Sequence, residues 1–305
     1  MNEYDENILN IFLILLNLSP VNMVYKYFSI NQHSLSNLIR NELFCNNYKA
    51  FNDPFECWFI LEEDRPNPKL NPERFEKICN AWGWKPSDMK SDWDMYEEYM
   101  GELEGYQPDI GGYIEGSRIS CFSKEIDNLL MWAHYADGMR GFCLEFDEQK
   151  LLSLDTGKDA SIIPVCYSEK PPVVDKMLYA LAKDQIWYHE MALSKEPNGS
   201  YVKDYMEALK DSESMINDLY SKTIASKPIQ WEYEKEVRLV YYSDKPNNHF
   251  FSYPQEAITK IIFGERIDLK SKETLTAIMS SKKTSIEVLL AHRTNRSYDI
   301  NFKKF

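Results

Sequence analysis

Long apolar runs are nearly absent from this 305-residue sequence. The one hydrophobic stretch, Ile8 to Leu18 (ILNIFLILLNL), is well short of the roughly 20 residues a bilayer-spanning helix needs, so no transmembrane segment is expected. The MNEYDEN before it is acidic, whereas a secretory signal opens on basic residues, so the cytoplasm is the expected compartment. Cysteine pairs are missing too. Cys45, Cys57, Cys79, Cys121, Cys143 and Cys166 contain no CxxC or CxxxC, which excludes a zinc framework and leaves reduced thiols as the expected state. There is no GxGxxG, no GxxxxGK[ST], no HExxH and no GxSxG, so Rossmann, P-loop, zincin and α/β-hydrolase chemistry have no support. The five histidines (33, 134, 189, 249, 292) stand singly. Excess positive charge is also absent: the net charge is −13, which disfavours non-specific binding to duplex DNA but leaves room for a local basic groove. No internal repeat, low-complexity tract or Gly/Ser linker interrupts the chain.

What is present is a core-forming composition with 44% hydrophobic residues and an unusual load of rings (20 Tyr, 15 Phe, 7 Trp) suited to stacking pockets. VYKYF (24–28), SRISCFS (117–123), GFCLEF (141–146), IIPVCYS (162–168), EVRLVYY (236–242), ITKIIFG (258–264) and SIEVLLAH (285–292) read as strands. Apolar spacing predicts a helix over 33–44, and FNDPFECWFIL reads as a turn running into a β-rich stretch. Asp127 is the expected N-cap of LLMWAHYA, with Gly138 as its stop. Residues 172–226 read as helical with a break at Pro197-Asn198-Gly199, and a short helix is expected near 270–281. Residues 1–22 read as an N-terminal apolar helix appendage. Residues 62–115 read as an insertion, whose part from Asp88 to Asp109 sets eight acidic residues against Lys90 alone, with Trp93, Tyr96, Tyr99 and Tyr106 interleaved. That pattern suits either a solvated helix packing its rings on the body or an acidic-aromatic surface for a basic partner. Strand-rich ends around a helical middle point to a single elaborated α+β domain over 23–305, with a mixed or antiparallel β core.

Four polar constellations carry possible chemistry. Tyr25-Lys26-Tyr27 sits on the opening strand, where Lys26 is either an edge-blunting charge or a ligand contact. Asn52 and Asp53 belong to a turn, structural or ligand-contacting. Phe122-Ser123 precedes His134-Tyr135, with His134 either a core histidine or a cleft residue. In WEYEKEVR, period-2 alternation places Glu234, Glu236 and Arg238 on one strand face, as a salt-bridge ladder or as a site.

In that order, YKY (25–27), FNDPFE (51–56), CFS (121–123), MWAHYADG (131–138), GFCLEF (141–146) and WEYEKEVR (231–238) make the chain resemble a bacterial family known as domain of unknown function 2971. The element order is also similar to that of ADP-ribosyltransferases of the toxin and antiphage kind, although the first strand has neither the Arg nor the His usual there. That resemblance implies NAD as substrate and a cytoplasmic transferase of toxin-antitoxin or phage-defence type. It makes Glu236 the catalytic acidic group, Glu234 the activator of a protein or nucleic-acid acceptor, and Arg238 a phosphate holder or an orienter of Glu236. Tyr27, Phe122 and Tyr135 would stack on the rings, and Ser123 and His134 would bond ribose or carboxamide. A protein partner such as an antitoxin would dock on the Ile8–Leu18 helix or on the acidic insertion, and no membrane is implied. Two alternatives stay open: a metal-dependent nuclease or hydrolase drawing on Asp53, Glu56, Glu145 and Glu236, and a non-catalytic sensor or interaction protein.

Overall fold

The computed structural model describes residues 22–245, 247–282 and 285–305. The Ile8–Leu18 segment therefore lies outside the described residues. The chain enters on β1 (Met23–Phe28) and turns into α1 (Gln32–Arg40). Asn31 starts that helix: its side chain accepts from the His33 and Ser34 amides while Ser34 Oγ accepts from the Asn31 amide. Asn41 then takes a left-handed conformation (φ 55°), which ends the helix before the expected Phe44 and starts a short strand, β2 (Glu42–Phe44). FNDPFECWFIL is mostly turn, with only β3 (Ile60–Glu62) extended. Asp53 Oδ1 accepts the Phe55 amide, and Cys57 sits at φ 58°, so the backbone curls where a strand was expected.

The insertion is helical: α2 (Pro72–Trp82), α3 (Pro86–Ser91), α4 (Trp93–Leu103) and α5 (Ile110–Gly116). Its acidic stretch packs rather than projects. Tyr96, Met100 and Leu103 of α4 are buried, while Glu97 and Glu104 face Arg65. The chain continues through β4 (Ser117–Ser123), α6 (Leu129–His134), β5 (Phe142–Asp147), α7 (Glu148–Leu151), β6 (Ala160–Pro164) and β7 (Cys166–Ser168). The single strand expected over 162–168 thus divides at Val165. Its amide still bonds the Glu236 carbonyl, but Cys166 turns to bond the Ala225 carbonyl. β8 (Val173–Asp175) precedes the long hairpin of α8 (Lys176–Lys195) and α9 (Val202–Ile224), which breaks where Pro197-Asn198-Gly199 predicts. β9 (Ser226–Pro228), a 3-10 turn (Ile229–Glu234), β10 (Glu236–Tyr242), β11 (Phe250–Ser252), β12 (Ile258–Gly264), α10 (Leu269–Ser281), β13 (Glu287–Arg293) and β14 (Ile300–Lys304) complete the chain.

The main sheet has eight strands in the order β14-β13-β12-β5-β1-β4-β10-β6, antiparallel throughout except for the parallel β12–β13 pair. The fold is therefore α+β with a mixed sheet. Period-2 alternation sorts its side chains onto two faces. Val24, Leu144, Phe146, Ile261 and Phe263 pack on one face under α1 and α10, and Tyr27, Cys143 and Ile262 pack on the other with Trp132 and Met139. The insertion and the α8–α9 hairpin share a third core, which meets the sheet at Ile119 and Val240. No helix among the described residues is long and apolar enough to cross a membrane.

Candidate functional site

β1 and β4 are adjacent in the sheet but pair at one position only, Tyr25 opposite Ser123. Beyond it the strands part. The free edge of β4 is taken by Asn46, whose amide and carbonyl both bond Ile119 at 2.8 Å. At the mouth of the split, Lys26 Nζ donates to the Cys121 carbonyl at 2.7 Å. The split opens a cleft of about 420 Å³, large enough for a small organic ligand. Tyr25, Lys26 and Tyr27 form one wall, and Ile119 to Phe122 form the other. Phe51 and Asn52 enter from the loop after β2, Tyr135 from the end of α6, and Glu234 and Glu236 close the far end.

Behind those two glutamates lies a buried ionic cluster. Arg238 is 0% exposed. Its Nη1 and Nη2 donate to the two Glu56 oxygens at 2.5 and 3.0 Å, and its Nε donates to Glu236 Oε1 at 2.8 Å. Lys227 Nζ bridges Glu234 Oε2 at 2.7 Å and Glu236 Oε2 at 2.6 Å. Tyr135 OH donates to Glu234 Oε1 at 2.5 Å, and Tyr167 OH accepts the Glu236 amide at 2.7 Å. Three carboxylates against two cations leave one net negative charge, set at the cleft wall.

The two cleft carboxylates differ in proton affinity. Burial opposes the charge on Glu236, but the Arg238 guanidinium and the Lys227 ammonium outweigh it and pull the carboxyl down to about 2. Glu234 goes the other way. Burial raises it above the usual carboxylate range, and Lys227 and Tyr135 offset this only in part. Burial lowers Lys26, which makes no ion pair among the described residues. The arrangement thus sets a fixed anion, Glu236, beside a group able to exchange a proton, Glu234, in a ring-lined cleft.

The sequence-predicted residues divide into two sets. Tyr25, Lys26, Tyr27, Asn52, Phe122, Tyr135, Glu234 and Glu236 line the cleft. Ser123, Asp53, His134 and Arg238 do not. Ser123 Oγ is fully buried and donates to the Glu234 carbonyl at 2.7 Å, so it fixes the glutamate's backbone. Asp53 caps the Phe55 amide. His134 is exposed, its ring against Tyr135 and Tyr233 at centroid distances of 6.5 and 6.4 Å. Arg238, sealed behind the glutamates, orients Glu236, and a phosphate has no access to it. Glu234 and Glu236 do not share a strand, as alternation implied. Glu234 ends the 3-10 turn, Lys235 takes φ 44°, and Glu236 is the first residue of β10, not a mid-strand one. Asn128, not Asp127, caps α6.

Sequence reasoning missed Lys227 and Tyr167, and gave Glu56 to a metal set that does not form. Glu145 is held by Thr259 and Lys260 on β12, and Glu56 by Arg238. Among the described residues no group of three or more acidic, His or Cys side chains is placed to hold a metal ion. The available signal for Lys227 was a lone lysine beside a proline, a few residues before an acidic segment.

Neither the curated proteins nor the solved structures contain a match to this chain. A family model described as "Protein of unknown function (DUF2971)" does match residues 131–239, the stretch that carries Tyr135, Lys227, Glu234, Glu236 and Arg238, and so supports that family.

Proposed function

We propose that the β1–β4 cleft binds NAD and that the chain transfers ADP-ribose, with Glu236 and Glu234 in different roles. The observation that carries this reading is the pair of buried carboxylates, one held ionised and one shifted toward protonation, at the end of a cleft walled by Tyr25, Tyr27, Phe122 and Tyr135. Rings of this kind stack on nicotinamide or adenine. In the reaction the bond between nicotinamide nitrogen and ribose C1′ breaks, and its electron pair leaves with nicotinamide. The fixed Glu236 carboxylate offsets the positive charge that develops at C1′, as carboxylates do in glycoside cleavage. A lone pair of the acceptor then closes on C1′, and the acceptor's proton passes to Glu234, which Tyr135 and Lys227 hold in place. Lys26, with its single bond to a carbonyl, is free to meet an anionic group of the ligand.

The test is incubation of the purified chain with NAD labelled in its adenylate half, following free nicotinamide and labelled acceptor. The expected result is nicotinamide release that Glu236→Gln lowers on the order of 100-fold or more, the scale seen when one preorganised electrostatic contact is removed. Full activity in that variant sinks the assignment.

A further inference from the structure

We propose that the face formed by Phe55, Trp58 and the Pro171-Pro172 turn is a docking site for a partner polypeptide that offers an apolar side chain flanked by basic residues. The turn over 53–58 points its residues two ways. Glu56 goes inward onto Arg238, whereas Phe55 and Trp58 stand 52% and 57% exposed, edge to face at 6.0 Å. Two large rings left half in water without a covering element are a recognition feature, not a packing one.

Between them and Pro171, Pro172 and Pro228 lies a pocket of about 220 Å³. That is below the size of a small-molecule site and suits one large side chain. Its prolines have no rotamers to lose on binding, which favours affinity. The apolar surface continues along the β3–β8 pair, where Ile60 lies opposite Val173 and its amide bonds the Pro172 carbonyl at 2.9 Å. Ile60, Leu61 and Val173 are all exposed.

Charge selects the occupant. Glu63, Asp64 and Glu169 are exposed around this surface and make no ion pair among the described residues, against Lys170 as the near cation. An acidic rim around an apolar pocket calls for basic flanks on the partner. The same rim repels a second copy of itself, and with a net charge of −13 it repels nucleic acid. The apolar Ile8–Leu18 segment has no basic flank in the sequence either. The pocket also reaches Lys227, which on its other side bridges Glu234 and Glu236. A docked segment therefore sits next to the cleft, separated from its carboxylates by that one lysine.

Fluorescence anisotropy with a labelled Lys-Arg-Pro-Trp-Leu-Pro-Arg-Lys peptide tests the inference on the full chain. Saturable one-site binding is expected, weakened at least about tenfold (1.4 kcal/mol) by Trp58→Ala and by the double reversal Glu63→Lys, Asp64→Lys. Exposed positions should leave the melting temperature unchanged, and the charge reversal keeps the test decisive if Trp58→Ala unfolds. Equal binding by both variants overturns the proposal. So does equal binding of a peptide with Glu in place of each basic residue, or tighter binding of a single-stranded oligonucleotide. Self-association that Trp58→Ala abolishes in ultracentrifugation assigns the face to a second copy, and peptide binding that appears only once residues 1–21 are deleted assigns it to the chain's own segment. Either result also overturns it. The inference stands whether or not NAD is cleaved, so failure of one leaves the other to be judged separately.

Discussion

Arg238 has its guanidinium committed on two sides, so a neutral replacement strands both Glu56 and Glu236 in the interior. Arg238→Met is expected to cost roughly 3–5 kcal/mol in urea unfolding, the range for removing one partner of a buried ion pair. A loss below 1 kcal/mol means the cluster does not form in solution. Arg238→Lys keeps the charge but cannot span both carboxylates, so it too should destabilise. Glu236 gives stability a pH dependence of definite sign. Its carboxyl is drawn from 4.5 to about 2 in the folded chain, so its contribution is complete above about pH 4.5 and is lost as the pH falls toward 2. Melting temperatures should drop from pH 5 to pH 3, and Glu236→Gln should flatten that slope. If catalysis runs through Glu234, Tyr135→Phe removes a donor to its carboxylate and raises its proton affinity further. The acidic limb of the rate profile should then move to higher pH, and an unmoved limb removes Glu234 from proton transfer. Glu236 and Arg238 were legible as a pair from alternation, since the strand does put both on one face. Glu234 joined them for the wrong reason. It reaches the cluster from a 3-10 turn, a geometry fixed by the Ser123 bond to its carbonyl and by the left-handed Lys235, neither of which periodicity encodes.

Between strands and helices, the positioning of Tyr135 depends on how α6 is held. Trp132 is fully buried, its indole N–H donating to the Ile126 carbonyl and its ring edge-on to Tyr27 at 5.3 Å. The turn after the helix runs through three consecutive positive φ values, at Asp137, Gly138 and Met139, and is tied to the sheet where the Gly264 amide bonds the Gly141 carbonyl. A Cβ on Gly141 would fall 2.0 Å from the Phe28 carbonyl oxygen, which is backbone and cannot step aside. Gly141→Ala should therefore destabilise by at least the roughly 1–3 kcal/mol typical of overpacking, and loosen Tyr135 with it. An unchanged unfolding midpoint contradicts this packing. The strands that build the sheet centre, β1, β4, β5, β10 and β12, were legible because both faces or alternate residues are apolar over five or more positions. The short strands β2, β7, β8, β9 and β11 were not, since three residues carry no period and their pairing is set by what passes alongside. The same holds for the cap of α6, where Asp127 and Asn128 are adjacent good caps and only the local turn chooses between them.

Across the whole molecule, one sheet interrupted between β1 and β4 accounts for the cleft, and the helical insertion and hairpin wall it on the β10 side. Sequence order gave the α+β class, but not the strand order, because β1 and β10 come next to β4 through contacts far apart in the chain. It gave the cleft's residues in part for the same reason: most motifs converge, while His134 faces solvent and Lys227 entered unannounced. The account's central claim is that this split is a ligand site with its reaction centre at the glutamates. A crystal structure of the chain with a carbocyclic NAD analogue that cannot be cleaved tests it most directly. The account predicts the nicotinamide ring between β1 and α6, with the carbon replacing ribose C1′ facing Glu236 and Glu234. Density for the analogue elsewhere on the surface, with the cleft holding only water, contradicts it.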